Sequence, residues 1–223
     1  MNPIGEVTVA SLPGKVLRVL RQEGPRGLVR RLLGYSRREM VFVERDLDQS
    51  DDVPFLPRHP YVMRFLAPDE VELIRPHVTP ERFEAYRRRI AQGMRVAACL
   101  SPDERECLGW IWSTDHDYFE PFDNATYRAV PGEVLHNDGE VVSERRGRGV
   151  AFTAYPLLWL FWRRRGIRVG YCTIDLANKP SLKIHDRMNY RRAQHMVVRT
   201  LLGFKWSTPA MARLGPGDET GRA

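Results

Sequence analysis

Between Glu133 and Tyr190 the chain reads as strand, glycine turn, apolar helix, strand and helix, and the rest of the chain is organised around that stretch. The middle, Val141-Val142-Ser143-Glu144-Arg145-Arg146-Gly147-Arg148-Gly149-Val150, leaves a strand and enters a long apolar helical run through two closely spaced glycines. Such a junction suits a phosphate group. Unpaired backbone N–H groups converge at a helix start, the helix dipole adds partial positive charge, and glycine lets a ligand approach the backbone closely. Arg145, Arg146 and Arg148 add charge beside it. Downstream, Asp175-Leu-Ala-Asn178-Lys-Pro-Ser181 follows a second strand and opens a second helix.

These two stretches together resemble the GNAT superfamily of acyl-CoA-dependent N-acyltransferases. Glu144-Arg145-Arg146-Gly147-Arg148-Gly149 is similar to that family's phosphate signature, Gln/Arg-x-x-Gly-x-Gly/Ala, with Glu144 as the departure. Asn178-Lys-Pro-Ser181 through His185 to Asn189-Tyr190 is similar to the Asn-x-x-Ser…Tyr-x-x-x-Gly-Phe segment, with His185 in the tyrosine slot and Asn189-Tyr190 replacing Gly-Phe. The resemblance covers Tyr61 to Trp206. It implies a mixed α/β sheet with two splayed parallel strands, flanked by helices, and acetyl-CoA or another acyl-CoA as donor.

The resemblance also implies roles. The loop from Arg145 through Gly147 and Gly149 to Val150 would hold the pyrophosphate. The strand backbone near Val141, Val142 and Ser143 would hydrogen-bond the pantetheine arm like an added strand. A backbone N–H near Val142 would polarise the thioester carbonyl, Asn178 and Ser181 would contact the cofactor, and His185 would protonate the departing thiolate.

Strand alternation from Glu133 to Glu144 places His136, Asp138, Glu140 and Val142 on one face, and Leu135, Asn137, Val141 and Ser143 on the other. Asp138 or Glu140, acting through a water, is the expected general base and His136 the reserve. Gly139 interrupts the strand and marks a candidate β-bulge. Cys172, without a neighbouring base in sequence, is not expected to act as a nucleophile.

The N-terminal part reads differently. Gly14 to Gly34 sets leucines and valines among arginines and is broken by Gly24-Pro25, as two short basic amphipathic helices would be. Such an element suits a membrane surface, a partner, or packing on the domain by its leucine face. Glu39 to Leu47 has strand character, and Asp48 to Pro60 reads as an acidic, proline-containing linker. The expected organisation is therefore an extension and linker over 1–60, an acyltransferase domain over 61–210 and a disordered tail over 211–223.

Within the domain, Tyr61–Leu66 reads as the opening strand, and a helix runs from Pro68-Asp69 to His77. Thr79, Pro80 and Gly93 read as N-cap, first residue and stop of the next helix. Arg95–Leu100 and Glu106–Trp112 form a hairpin. Trp110, Trp112, His116, Tyr118 and Phe119 form either an acceptor wall or core. Pro156 predicts a kink or a late start in the apolar helix.

Composition narrows the function classes. The 223 residues are 43% hydrophobic and carry a formal charge of +7, enough for one core and basic enough for a polyanion. CoA fits, as does an acidic acyl carrier protein; no nucleic-acid-binding module is recognisable, so nucleic acid is not an expected partner. Three cysteines without metal spacing argue against a disulfide scaffold or a metal site. A cytoplasmic enzyme transferring an acyl group to a small-molecule amine, such as an amino sugar, is the expected function. The alternatives are a carrier-protein-dependent N-acyl amino acid synthase and a non-catalytic binding module, and a homodimer is one expected assembly.

Overall fold

The computed structural model describes residues 12–48, 61–120 and 125–208. The expectations for Met1–Ser11, for most of the linker and for the tail lie outside the described residues.

Among the described residues, ten strands and four α-helices follow in the order α1 (Leu12–Leu32), β1 (Ser36–Asp46), β2 (Val62–Phe65), a 3-10 helix (Glu70–His77), α2 (Pro80–Ala91), β3 (Arg95–Leu100), β4 (Cys107–Thr114), β5 (Tyr118–Glu120), β6 (Ala125–Tyr127), β7 (Glu133–Val141), α3 (Val150–Arg163), β8 (Val169–Asp175), α4 (Lys179–Arg187), β9 (Arg191–Leu201) and β10 (Phe204–Thr208). Eight strands make one sheet, ordered β10-β9-β1-β8-β7-β4-β3-β2, and β5 pairs with β6 beside it. Every neighbouring pair is antiparallel except β7 and β8, which α3 joins as a parallel crossover.

The period of two in each strand divides the core. Phe42, Trp110, Trp112, Leu135, Tyr171 and Met196 face α2, where Phe83 and Tyr86 meet them. Val41, Val43, Ile111, Val134, Cys172 and Ile174 face α3 and α4, against Tyr155, Leu158, Trp159, Trp162 and Leu182. Trp110 and Trp112 are therefore core, and of the aromatic run only Phe119 and His116 are exposed.

β1 is an interior strand, not an appendage. It lies between β8 and β9, with Val43 opposite Cys172 and Met40 opposite Met196. Its Arg45 is buried over the Trp159 ring and donates to the Met188 carbonyl, tying the strand to α3 and to the end of α4. The sheet thus takes strands from both sides of the expected 60/61 boundary, because two neighbours satisfy the backbone of β1 while both of its faces are buried.

Local rules hold at most helix ends. Thr79 accepts the Arg82 N–H at 3.3 Å, Pro80 begins α2, and Gly93 follows it at φ +82°. α1 is broken at Gly24 (φ +68°, ψ −176°), as Gly24-Pro25 predicts. α3 differs from expectation: it begins at Val150 and runs through Pro156 to Arg163. Burial of Leu158, Trp159 and Trp162 on this helix offsets the one backbone bond that Pro156 removes.

Candidate functional site

Parallel pairing between β7 and β8 ends at Leu135↔Tyr171, although β7 runs on to Val141 and β8 to Asp175. The strands separate there and leave a slot. A bulge on β7 accompanies the separation: Trp112 opposes Asn137 and Trp110 opposes Glu140, so three steps on β7 match two on β4. Asp138 takes the left-handed conformation (φ +47°), which Asp tolerates better than most residues. Gly139 sits beside it against Ile111.

The bulge reorders the faces, correcting the simple alternation. His136 turns to the α3 side, edge-on to Tyr155 at 6.1 Å. Asp138 and Glu140 turn to α2. Asp138 accepts from Arg82 and Arg89, each at 2.5 Å, and Arg82 also pairs with Glu140 at 2.6 Å. Burial acts to raise the Asp138 pKa, but Arg89 and Arg82 outweigh it and hold the carboxyl below its usual range. Both oxygens are committed, so Asp138 is a clasp between β7 and α2 rather than a poised base. Arg82 and Arg89 were missed by sequence reading, although their spacing of seven residues puts both on one helix face.

His136 is also unsuited to proton transfer at neutral pH. It is fully buried, neither ring nitrogen has a hydrogen-bond partner among the described residues, and desolvation lowers its pKa to about 3. A group whose folded pKa lies below its unfolded value of about 6.5 contributes stability at neutral pH that is lost as pH falls toward the folded value. His136→Phe is therefore expected to keep or raise stability at pH 7 and to flatten its loss between pH 6.5 and pH 4, read by urea midpoints. Parallel curves for the two proteins would assign that loss elsewhere.

At the far end of β7 the Val142 N–H donates to the Leu108 carbonyl at 3.0 Å. It is therefore occupied, so the backbone N–H expected near Val142 is not that of Val142 itself. The antiparallel ladder aims alternate residues away from β4, so Val141 presents its N–H and C=O to the slot. The Val141 carbonyl accepts from Arg146 Nε at 3.1 Å. A 3-10 turn over Ser143–Arg145 follows, with the Ser143 hydroxyl donating to Glu144 at 2.8 Å.

Gly147 and Gly149 then adopt φ +76° and +83°, and Gly149 is the N-cap of α3 without a side-chain cap. A side chain at Gly147 would meet open space, whereas one at Gly109, opposite Val141, would meet Val150 Cγ1 at 2.8 Å and the Glu140 carbonyl at 2.9 Å. The bare Gly109 thus lets the start of α3 sit directly on β4. Arg145, Arg146 and Arg148 surround the turn, with Arg145 3.7 Å from Glu106 and Arg146 3.8 Å from Glu140.

On α4 the Asn178 side chain accepts the Ser181 N–H at 3.2 Å, which makes Asn178 an N-cap. His185 Nδ1 lies 2.8 Å from the Ser181 carbonyl, and since a carbonyl only accepts, Nδ1 carries the proton. Nε2 then accepts from the Tyr155 hydroxyl at 2.9 Å. Burial, the largest influence, lowers the His185 pKa despite the Ser181 bond. A neutral imidazole whose single proton is held by the Ser181 carbonyl and whose other nitrogen accepts from Tyr155 is not poised to protonate a thiolate, which corrects its assignment as the acid. Tyr155 carried no sequence signal because a tyrosine in an apolar run reads as packing. Asn189 holds φ +56°, so it fills a left-handed slot that glycine otherwise takes.

Cys172 is buried at the base of the slot, and desolvation raises its pKa well above the usual thiol range. A cavity of about 500 Å³ opens where β7 meets the loop, lined by Glu72, His77, Glu106, Leu108, Val142 and Arg145 among others.

No protein-family model and no curated protein sequence matches the chain. Solved structures do. A GCN5-related N-acetyltransferase from Sphaerobacter thermophilus is 17% identical with a TM-score of 0.54, covering 86% of this chain and 57% of its own. A tandem GNAT protein from the clavulanic acid biosynthesis pathway is 16% identical, TM-score 0.52, covering 82% and 60%. A glucosamine N-acetyltransferase region of a fungal multi-domain GH3 β-N-acetylglucosaminidase is 15% identical, TM-score 0.55, covering 73% and 21%. The chain thus spans less than two thirds of the length of these structures.

Proposed function

We propose that this chain, which has the GNAT fold, transfers an acyl group, most simply acetyl, from acyl-CoA to the amine of a small molecule. The observation that carries the proposal is the slot between β7 and β8, with the glycine turn and the N-terminus of α3 at its mouth. A strand edge beside an anion site suits a ligand with an amide-bearing arm and a pyrophosphate.

In this reading the pantetheine arm lies along Val141 once Arg146 releases that carbonyl. Gly147, Gly149, Val150 and the arginines hold the phosphates, and Asn178 and Ser181 border the arm. The Val141 N–H polarises the thioester carbonyl. The ammonium gives one proton through a water to Glu140, whose Oε1 Arg146 frees as it leaves Val141. The amine nitrogen then forms the new N–C bond, the C–S bond breaks, and the second proton of that nitrogen passes to the departing thiolate, which leaves as CoA. Positioning two reactants supplies most of the rate. Asp138 holds the bulge in place through Arg82 and Arg89, and His185 positions Tyr155.

Amino sugars form the class to screen first, since one neighbour of this fold is a glucosamine N-acetyltransferase region.

The test is the thermal midpoint with and without acetyl-CoA. Ligand at about 100 times its dissociation constant stabilises by about 2.7 kcal/mol. No shift with acetyl-CoA or CoA, together with binding of an acyl carrier protein, would replace the donor; no shift with either would leave a non-catalytic module.

A further inference from the structure

The apolar side chains that the fold leaves exposed are concentrated at one end. Leu32 is 74% exposed and Leu33 40% at the end of α1, and Leu202 is 63%, Phe204 76% and Trp206 43% exposed at the β9–β10 hairpin. These two elements are neighbours: the Leu202 N–H donates to the Leu33 carbonyl at 2.8 Å, and Ser36 opposes Thr200. Phe204 and Trp206 lie on one face of β10, two residues apart.

The hairpin turn is unusual in its own sequence. Leu202 and Gly203 are its central residues, both at positive φ, +50° and +82°. Asn, Asp or Gly is the ordinary occupant of the first position, and a leucine there is strained. The strain serves no packing, because the Leu202 side chain projects into solvent. A bulky apolar residue held out in a strained turn points to something that receives it.

Charge identifies the receiver. Between Lys15 and Arg31 there are six basic side chains and one acidic, Glu23. Arg21, Arg26 and Arg30 are exposed on the same helix as Val29 and Leu32. A second copy of this chain seated on the patch would bring two such helices together and be repelled. An anionic bilayer supplies the opposite charge and an apolar layer for leucine, phenylalanine and tryptophan.

We infer that α1 and the β9–β10 hairpin form a docking surface for anionic membranes, with Leu32, Leu202, Phe204 and Trp206 entering the interface and the α1 arginines lying on the headgroups. Among the described residues no helix is long and apolar enough to cross a membrane, so the contact is peripheral. It is independent of the acyl-transfer reading, since none of these residues borders the slot.

The experiment is co-sedimentation of the full chain with phosphatidylcholine vesicles, with and without phosphatidylserine. Retention is expected only with phosphatidylserine and is reversed by salt. Phe204→Ser, and Arg26→Glu with Arg30→Glu, should each lower the partition coefficient at least about tenfold while the thermal midpoint and its acetyl-CoA shift stay unchanged. Equal retention on both vesicles, or retention insensitive to these variants, overturns the inference. A lipid-free dimer that Phe204→Ser dissociates also overturns it, assigning the patch to a second copy.

Discussion

Asp138→Ala is expected to lower the unfolding free energy by about 3–5 kcal/mol, the range for removing one partner of a buried ion pair. Two guanidinium groups lose their shared carboxylate at once, and Arg89, with only 9% of its side chain exposed, retains the uncharged Tyr118 hydroxyl at 3.1 Å in place of a counter-charge. Asp138→Asn separates charge from backbone, since asparagine also tolerates the φ of +47°. The folded-state pKa lies below the usual value, so the ion pair contributes fully above about pH 4 and is lost as pH falls through the folded value. Wild type and Asp138→Asn should therefore differ at pH 7 and approach each other only below about pH 4, whereas the His136 loss begins near pH 6.5. Urea midpoints at pH 7, 5 and 3 measure this. A loss below about 1 kcal/mol at pH 7 would place the clasp among surface ion pairs of little consequence.

Gly147→Asp is expected to abolish the acetyl-CoA stabilisation of about 2.7 kcal/mol while changing the unliganded midpoint little. Space is open around Gly147, so the added side chain meets no neighbour; the strain is that of φ +76°, which aspartate partly tolerates. What changes is charge, because a carboxylate would stand among Arg145, Arg146 and Arg148 where a phosphate would bind. Isothermal titration with CoA reads the effect directly. Normal CoA affinity in this variant would show that the turn is not the phosphate site, whatever the fold.

Three local features were legible in the chain because each depends on a few adjacent residues. Thr79-Pro80 starts a helix, Gly24-Pro25 breaks one, and Gly147-x-Gly149 makes a left-handed turn into α3. Each is a backbone preference acting at short range. The resemblance carried by Glu133 to Tyr190 likewise implied a pair of parallel strands, and β7 and β8, joined by α3, have that arrangement.

What could not be read was set by contacts between distant residues. The approximate place of the bulge followed from Gly139, but its effect on the faces did not: one extra residue in β7 separates His136 from Asp138 and Glu140, which strict alternation groups together. The state of Asp138 depends on Arg82 and Arg89, 56 and 49 residues away. The engagement of His185 Nε2 depends on Tyr155, which no spacing rule links to it. The position of β1 depends on pairing across the whole chain, from Phe42 to Thr173 and from Met40 to Met196. Backbone propensity is a property of neighbours in sequence and is present in the unfolded chain, whereas strand register, burial and the field at a titrating group arise only when remote segments exclude water together.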